Sequence, residues 1–314
     1  MSLTRDPILE PVDRDLLGDL GFVLEDLVAQ GGPMPSDYGS LNRSIRQLGD
    51  HVRAGLVTRK SIIELTREWA REHWPDTLQA KAVLQKHGYS GDFEIIDDIY
   101  TARITEDPRQ RRWDLFFHAQ AAPCAVRNRK AYFHRLLRSH GAFTWSKGDR
   151  LEVLNVASGP ARDVREWFQS ETCVPTWMDC VDMDVNAIQH AKRLCAPFAE
   201  YLHFHERNVL RFLPTRGYDL VWSAGLFDYL SDRVFVHLLK SMLAVCKPGG
   251  EVVVGNFGDF NPSRDYMELF GNWCLEHRSR EKLFQLAEQA GAVLDQTRVE
   301  WEPEGVNLFL HIRR

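Results

Sequence analysis

Acidic and amide side chains follow short apolar runs in the C-terminal half, and their chemistry suits a nucleoside. Asp182 ends the run "MDCVD" and lies 23 residues after Gly159. A carboxylate at about this spacing can accept hydrogen bonds from both hydroxyls of a ribose. A lone aspartate more often caps a helix, a role that Asp184 can take instead. Asn208, in "HERNVLRF", can bind an adenine edge or can simply be a turn residue.

The turn Ala157–Ala161, "ASGPA", joins the apolar run Leu151–Val156 to an amphipathic stretch. Small residues let a ligand approach the backbone closely, and Pro160 suits the first position of a helix. Unpaired N–H groups at such a position attract an anion or a carboxylate. The turn is therefore either a ligand site or an ordinary strand-to-helix corner, and its residues alone do not decide between the two.

These residues must be positioned by a sheet, because apolar runs alternate with helical stretches from Leu151 onward. Such alternation predicts an α/β fold with a parallel sheet and helices on both faces. Ligands of these sheets bind beyond the carboxyl ends of the strands. The expected strands are Leu151–Val156, Cys180–Asp182, Leu202–Asn208, Leu220–Ser223, Glu251–Asn256 and Val306–Ile312, and the helices include Ala187–Phe198, Val234–Cys246 and Arg280–Ala290.

The N-terminal part is predicted to be helical throughout, because its apolar residues recur three or four positions apart. Helices are expected over Asp13–Gln30, Leu41–Leu56, Thr58–Trp74, Glu94–Thr101, Trp113–Ala122 and Val126–Leu137. The change of pattern predicts two domains. Residues 1–140 would form an all-helical cap or substrate domain, and residues 141–314 would form the ligand-binding domain.

Composition excludes several classes of protein. The 314 residues have a net charge of −5, 44% hydrophobic and 26% charged residues, as in soluble globular proteins that do not bind nucleic acid. None of the six cysteines forms a C-x-x-C pair, and no run reaches the ~20 apolar residues of a membrane span. We expect a reduced, cytoplasmic protein without a metal site, since no clustered oxygen ligands are evident.

A helix, the turn Lys247–Gly250 ("KPGG") and a strand complete an order of motifs that resembles class I S-adenosylmethionine (SAM)-dependent methyltransferases. The resemblance covers about residues 151–314. It implies a Rossmann-like, doubly wound, mostly parallel seven-stranded sheet that binds SAM and releases S-adenosylhomocysteine. The cofactor-binding residues that it implies are Asn155, Ala157, Ser158, Gly159, Arg162, Asp163, Asp182, Met183, Asn208, Val209, Ser223 and Gly225.

Three positions depart from the family pattern. Asn155 stands where an acidic residue is common, and Ala157 and Ala161 replace two glycines. Alanine is small enough to keep the close approach of the backbone. Asn155 removes a negative charge that would lie near the SAM amino group, so ribose and adenine contacts are better supported than contacts to the methionine end.

Longer blocks resemble bacterial proteins named for making 3-hydroxypalmitic acid methyl ester. The blocks are "GYSGDFEIIDDIY" (Gly88–Tyr100), "QAAPCAVRNRKAYF" (Gln120–Phe133), "ASGPARD" and "SAGLFDYL". Members of that family are described as methylating a fatty-acid carboxylate to form a diffusible signal. The resemblance therefore implies a small, lipophilic, fatty-acid-like acceptor.

A carboxylate acceptor is already anionic at pH 7, so it needs a cation rather than a base. Arg127, Arg129 and Arg264 are candidates to bind it, because a guanidinium can hold a carboxylate bidentately. For each of these arginines the alternative is a surface salt bridge.

Residues 258–278 exceed an ordinary strand-to-helix loop of ~2–6 residues. Their aromatic and apolar side chains can line a tunnel, and we expect this insertion to be a substrate lid, with Tyr266 and Trp273 binding the acceptor. The alternative is a helix that packs in the core and binds nothing.

Tyr229 and Asp228 follow the fourth strand, where the methyl group should lie, and are candidate catalytic residues. Tyr229 can donate to the acceptor oxygen, whereas Asp228 would repel a carboxylate and fits an amine, a hydroxyl or SAM itself. His277 can act as a base for a hydroxyl or an amine, although a lone histidine is more often structural.

The sequence thus predicts a methyltransferase of a lipophilic carboxylate with a helical cap. The alternatives are N- or O-methylation of a small polar metabolite and a SAM-binding regulatory protein without turnover. A nicotinamide dehydrogenase is disfavoured by the missing glycines and the "KPGG" turn. The oligomeric state is not determined.

Overall fold

The computed structural model describes residues 21, 23–212, 214 and 216–314, which divide into two compact units. The helical unit contains the described residues up to Asp98, together with Ala102–Pro123 and Pro262–Cys274. The sheet unit contains Ile99–Thr101, Cys124–Asn261 and Leu275–Arg314.

The helical unit has short, capped helices. The Thr58 and Thr77 hydroxyls each accept a hydrogen bond from a backbone N–H of the first turn that follows. Residues 23–29 are helical, and half of the predicted helix Asp13–Gln30 lies outside the described residues. The helix Leu78–Leu84 is only seven residues long and was not predicted. The helices are α1 (Tyr38–Arg53), α2 (Arg59–Glu72), α3 (Leu78–Leu84), α4 (Phe93–Tyr100) and α5 (Arg111–His118).

The next helix, α6 (Ala121–Trp145), spans the predicted domain boundary. The predicted division at 140/141 falls inside α6, whereas the two units divide between Pro123 and Cys124. The reason is packing, because Phe133 and Leu137 of α6 are buried in one core with Leu151 and Val153 of the first strand. The helical character of α6 is the reason why the sequence pattern assigned these residues to the helical part.

The sheet has seven strands in the order β3-β2-β1-β4-β5-β7-β6. Strands β1 to β5 pair with one another in parallel, and β7 is antiparallel to both β5 and β6. The predicted α/β fold is confirmed, although the edge strand β6 was not foreseen. The strands are β1 (Leu151–Val156), β2 (Thr176–Asp182), β3 (Leu202–Glu206), β4 (Tyr218–Ser223), β5 (Cys246–Phe257), β6 (Thr297–Trp301) and β7 (Asn307–Arg313).

Helices α7 (Arg162–Gln169), α8 (Val185–Leu194), α9 (Asp232–Val245) and α10 (Arg280–Gln289) complete the sheet unit. The two faces of the sheet belong to separate buried apolar clusters, one with α6 and α7 and the other with α9 and α10. In the part of the chain that the structure describes, no helix is both long and apolar enough to cross a membrane. The cytoplasmic location stays a prediction.

The "KPGG" segment lies inside β5 rather than before it. Cys246 pairs with Tyr218, and the next pair joins Glu251 to Leu220, so the residues between them form a bulge. Gly249 has a φ of +81°, a conformation that glycine adopts easily. The predicted tight turn is therefore a bulge at the start of the strand.

Candidate active site

The loop after β1 has left-handed backbone at three positions. Ala157, Gly159 and Ala161 have φ values of 55°, 55° and 54°. This conformation costs a non-glycine residue about 1–2 kcal/mol, so the two alanines keep a geometry that glycine would adopt freely. Ala161 is the N-cap of α7, and Pro160 therefore precedes the helix instead of occupying its first position.

Asp182 at the end of β2 holds this loop. Its Oδ2 accepts a hydrogen bond from Gly159 N at 2.8 Å, and its Oδ1 accepts one from Asp184 N at 3.0 Å. Each carboxylate oxygen can accept a further hydrogen bond. Asp184 caps α8 through Asn186 N at 2.8 Å, and the intervening Met183 is 72% exposed.

Asn208 does not end the third strand, since β3 stops at Glu206. Its side-chain oxygen accepts a hydrogen bond from Leu210 N at 2.9 Å, which closes a turn. Asn208 therefore acts as a turn residue in this structure, which is one of the two roles that the sequence left open. The adjacent Val209 is buried.

Two residues at the start of α7 were also predicted to bind the cofactor. Arg162 is partly exposed, whereas Asp163 is buried. Burial raises the pKa of Asp163, although nearby His134, Arg129 and Lys130 oppose this effect. The Asp163 carboxylate accepts a hydrogen bond from Val164 N at 2.9 Å.

The end of β4 is tied to the end of β1, because Ser223 Oγ donates to the carbonyl oxygen of Val156 at 3.0 Å. Gly225 follows, and a Cβ built on it would lie 2.7 Å from Nη1 of Arg129. The absence of a side chain at Gly225 thus leaves room for a guanidinium.

Arg129 of α6 is 7% exposed. Its Nε donates to the hydroxyl of Tyr100 at 3.0 Å, and its guanidinium carbon lies 5.6 Å from the centre of that ring. Burial raises the pKa of Tyr100 to about 12, and Arg129 partly opposes this rise. Sequence reasoning did not single out Tyr100, which appeared only within a longer block of resemblance.

Asp228 is buried and braces the loop after β4. Its Oδ1 accepts a hydrogen bond from Phe257 N at 2.6 Å, and its carbonyl oxygen accepts one from Glu276 N at 2.7 Å. Burial raises its pKa to about 6, against the nearby charges of Arg129 and Arg278. The carboxyl group therefore joins the loop after β4 to the end of β5 by a hydrogen bond. The adjacent Tyr229 is 42% exposed.

Both ring nitrogens of His277 are engaged. Nδ1 lies 3.1 Å from the carbonyl oxygen of Leu275, and Nε2 lies 3.2 Å from Nδ2 of Asn261. The arrangement suits a neutral imidazole that donates at Nδ1 and accepts at Nε2.

The candidate substrate residues are divided between the units. Arg127, in the sheet unit, contacts the sulfur of Cys124 at 3.1 Å. In the helical unit Arg264 is exposed and pairs with Glu268 at 2.7 Å, one turn further along. The Arg264 contact has the form of the surface salt bridge that the sequence left as the alternative, whereas the contact of Arg127 is with a sulfur and not with a carboxylate.

The middle of the insertion, Pro262–Cys274, packs within the helical unit, and its two ends belong to the sheet unit. Tyr266 stacks on Phe270 at 5.9 Å and meets the edge of Phe116 at 5.4 Å. Trp273 is 9% exposed, and Arg53 pairs with Asp265 at 2.7 Å. In this structure the segment thus has the geometry of the core-packing alternative.

Several polar atoms at the end of β1 fit an absent ligand. Nδ2 of Asn155 and Oγ of Ser158 are buried and have no hydrogen-bond partner among the described residues. A Cβ built on Gly159 would meet nothing within 4 Å. Orphaned buried polar atoms beside an open backbone are expected where a polar ligand completes the hydrogen bonding.

Comparison with known proteins agrees with this geometry. Residues 153–250 match the model of a family described as a methyltransferase domain. The match runs from β1 to the bulge of β5 and includes every loop described above except the insertion. No curated protein matches the sequence significantly.

Two solved structures are similar in fold. A possible exported protein from Bordetella parapertussis is 18% identical, with a TM-score of 0.60 over 82% of this chain and 95% of that chain. A candidate O-methyltransferase from Nostoc punctiforme PCC 73102 is 13% identical, with a TM-score of 0.51 over 75% of this chain and 72% of that chain. At these identities the likeness concerns the fold alone. Residues 153–250 thus form a methyltransferase domain by sequence, and the strand order and the loop ends agree with this assignment.

Proposed function

We propose that this enzyme transfers the methyl group of SAM to a small lipophilic acceptor, with a fatty-acid-like carboxylate as the best candidate. The observation that carries the proposal is that neither candidate base is poised to remove a proton. Asp228 is buried against Phe257 N, and both ring nitrogens of His277 are engaged. A carboxylate needs no base near pH 7, whereas a hydroxyl or an ammonium group does.

In this proposal the sheet unit binds the cofactor through its loop ends. Asp182 would accept the ribose hydroxyls with the lone pairs that Gly159 and Asp184 leave available. The exposed thioether side chain of Met183 offers an apolar surface for the adenine ring. Asn155 and Ser158 would satisfy their orphaned atoms on the polar methionine end.

SAM supplies a methyl group on a sulfonium, which leaves as a neutral thioether. A carboxylate oxygen would form the O–CH₃ bond as the S–CH₃ bond breaks, so the protein would have no proton to move. The protein has to align the acceptor and exclude water. Tyr229, next to Asp228 and 42% exposed, can donate to the acceptor oxygen and orient it.

The resemblance to proteins named for making a hydroxy-fatty-acid methyl ester supports the same acceptor class. Methylation of a small polar metabolite at nitrogen or at a hydroxyl oxygen is the alternative, and it requires a base other than the two considered. A regulatory protein that binds SAM without turnover is the alternative from another class.

The test is a transfer assay with methyl-labelled SAM and three acceptors of equal chain length: hexadecanoic acid, hexadecanol and hexadecylamine. Alkali releases methanol from a methyl ester but leaves ethers and methylamines intact, so volatile label after alkali reports carboxylate methylation. We expect volatile label with the acid alone.

Other outcomes contradict the proposal in distinct ways. Alkali-stable label on the alcohol or the amine would favour the alternative acceptors. Binding of SAM without label in any product would favour the regulatory protein. A control without acceptor measures the spontaneous loss of label.

A further inference from the structure

We propose that Arg129 binds the carboxylate of the methionine end of SAM and of S-adenosylhomocysteine. The inference rests on the proposed use of SAM and assigns Arg129 to the cofactor instead of the acceptor. It is carried by the incomplete hydrogen bonding of a buried cation.

Arg129 is 7% exposed, and its one hydrogen bond to a described residue runs from Nε to the Tyr100 hydroxyl at 3.0 Å. Among the described residues, no acceptor and no ion-pair partner contacts its Nη1 or Nη2. Burying a charge that lacks hydrogen bonds costs free energy. A buried guanidinium with two unbonded nitrogens is therefore expected where an anion accepts hydrogen bonds from them.

The second buried arginine of the sheet unit, Arg278, has hydrogen-bond acceptors around its whole guanidinium group. Arg278 is 4% exposed and donates to Asp232 at 3.1 Å, Asn256 at 2.7 Å and the carbonyl oxygens of Phe227, at 2.9 Å, and Leu230. The same fold thus surrounds one buried guanidinium with acceptors on all sides and leaves the outer nitrogens of the other unbonded.

The acidic residues nearest to Arg129 do not take that role. Asp228 directs Oδ1 at Phe257 N, and Asp163 directs Oδ1 at Val164 N. Their charges still help to keep Arg129 protonated, since its pKa is raised although burial acts to lower it. The guanidinium remains a cation with two open donor groups.

Its position selects the ligand. Nη1 would lie 2.7 Å from a Cβ on Gly225, two residues beyond the end of β4. On the adjacent β1, Asn155 faces the same apolar cluster as α6 and presents an orphaned amide. A family acid at position 155 would attract an ammonium group, whereas an amide N–H and a guanidinium together suit a carboxylate.

The experiment is calorimetric titration with two ligands that differ by one group: S-adenosylhomocysteine and its decarboxylated analogue, S-adenosyl-3-thiopropylamine. For Arg129→Gln we expect about a 10- to 100-fold loss of affinity for the first ligand, the range for a hydrogen bond to a charged group. The affinity of the same variant for the decarboxylated analogue should change by less than about threefold. Its binding also shows that the variant is folded.

Two further variants sharpen the result. Arg129→Lys keeps the buried charge without the planar guanidinium group. Its affinity for S-adenosylhomocysteine, and not for the analogue, should fall about five- to tenfold. Arg138→Gln removes the same charge from an exposed position of α6 and should change neither ligand. If Arg129→Gln did not fold, the lysine variant would carry the comparison.

The contrary outcomes are separable. Equal losses on both ligands would overturn the inference, because the carboxylate would not be the partner. Unchanged cofactor affinity with a raised KM for the acceptor would also overturn it and would assign Arg129 to the substrate. Failure of the wild type to bind either ligand would instead contradict the proposed use of SAM.

Discussion

The carboxylate of Asp182 accepts a hydrogen bond from the backbone N–H of Gly159 at 2.8 Å, across 23 residues of chain. The residue proposed to bind the ribose is therefore also the residue that fixes the loop after β1. Substitution of Asp182 should affect the binding of the whole cofactor as well as of its sugar.

Asp182→Asn should weaken S-adenosylhomocysteine binding by about 1–3 kcal/mol, because one amide cannot accept from both Gly159 N and Asp184 N. Titration calorimetry measures the loss. Asp184→Asn is the matched control, since asparagine caps helices as well as aspartate does, and it should leave the affinity within about threefold. Equal losses in the two variants would speak against a specific role for Asp182.

Gly225→Ala should weaken binding of S-adenosylhomocysteine while it changes the free energy of unfolding by less than about 1 kcal/mol. The three atoms nearest to the new Cβ all belong to the guanidinium of Arg129, with Nη1 at 2.7 Å, so we expect that side chain to shift while the backbone keeps its place. Gly255→Ala is the contrast, because its Cβ would lie 2.5 Å from the carbonyl oxygen of Ala224. That variant should lose about 1–3 kcal/mol of stability by chemical denaturation.

Asp228→Asn should become more stable than the wild type as the pH rises. The pKa of Asp228 is raised by burial to about 6, so its ionisation opposes the fold increasingly between about pH 4 and pH 6. Asparagine keeps an acceptor for Phe257 N without the charge. Urea unfolding should show that the free energy of unfolding of the variant, relative to that of the wild type, rises by about 2 kcal/mol between pH 4 and pH 7.

Asp232→Asn is the control for this pH profile. The pKa of Asp232 is lowered by its hydrogen bond with Lys282, so its contribution is present above the unfolded pKa and is lost as the pH falls. The pH trend should therefore be opposite in sign. A parallel trend in both variants would mean that burial of Asp228 does not determine the profile.

Glu251→Gln should lower the free energy of unfolding at pH 7 by about 3–5 kcal/mol, the range for breaking a buried ion pair. Burial alone would raise the pKa of Glu251, but His140, His311 and Arg298, at 2.8, 3.1 and 2.6 Å, hold it well below its ordinary value.

The contribution of Glu251 is thus fully present above the unfolded pKa of about 4.3 and is lost as the pH falls through the lowered value. Urea unfolding at pH 7 and near pH 3 should show the difference between variant and wild type shrinking in acid. Glu64→Gln, from the exposed pair of Lys60 and Glu64, should cost less than about 0.5 kcal/mol.

The sheet and its loop ends could be predicted from the sequence because strand periodicity and turn chemistry are local. The run Leu151–Val156 was predicted with its observed bounds, and Asp182 ends β2 as expected. Edge strand β6, "TRVEW", mixes charged with apolar residues and is recognised only by its pairing with β7. Asn208 lies two residues beyond β3 because the strand stops at Glu206.

The roles of the arginines could not be predicted from their spacing. Arg129 and Arg264 both stood as candidates, yet the first is buried and the second is exposed beside Glu268. Long cationic side chains are buried or solvated according to tertiary packing, which no local pattern encodes. Arg278, whose hydrogen bonds join the segment after β4 to β5, carried no recognisable signal in the sequence.

The alanines at 157 and 161 have a consequence for the entropy of ligand binding. Glycine in the left-handed region samples a broad range of backbone angles, whereas alanine has only a narrow well there. The left-handed alanines therefore lower the stability of the folded protein, and they leave the loop with few alternative conformations. A ligand that enters such a loop does not have to order it first, so more of the contact energy remains as affinity. We expect the loop to behave as a rigid template that selects its ligand by shape.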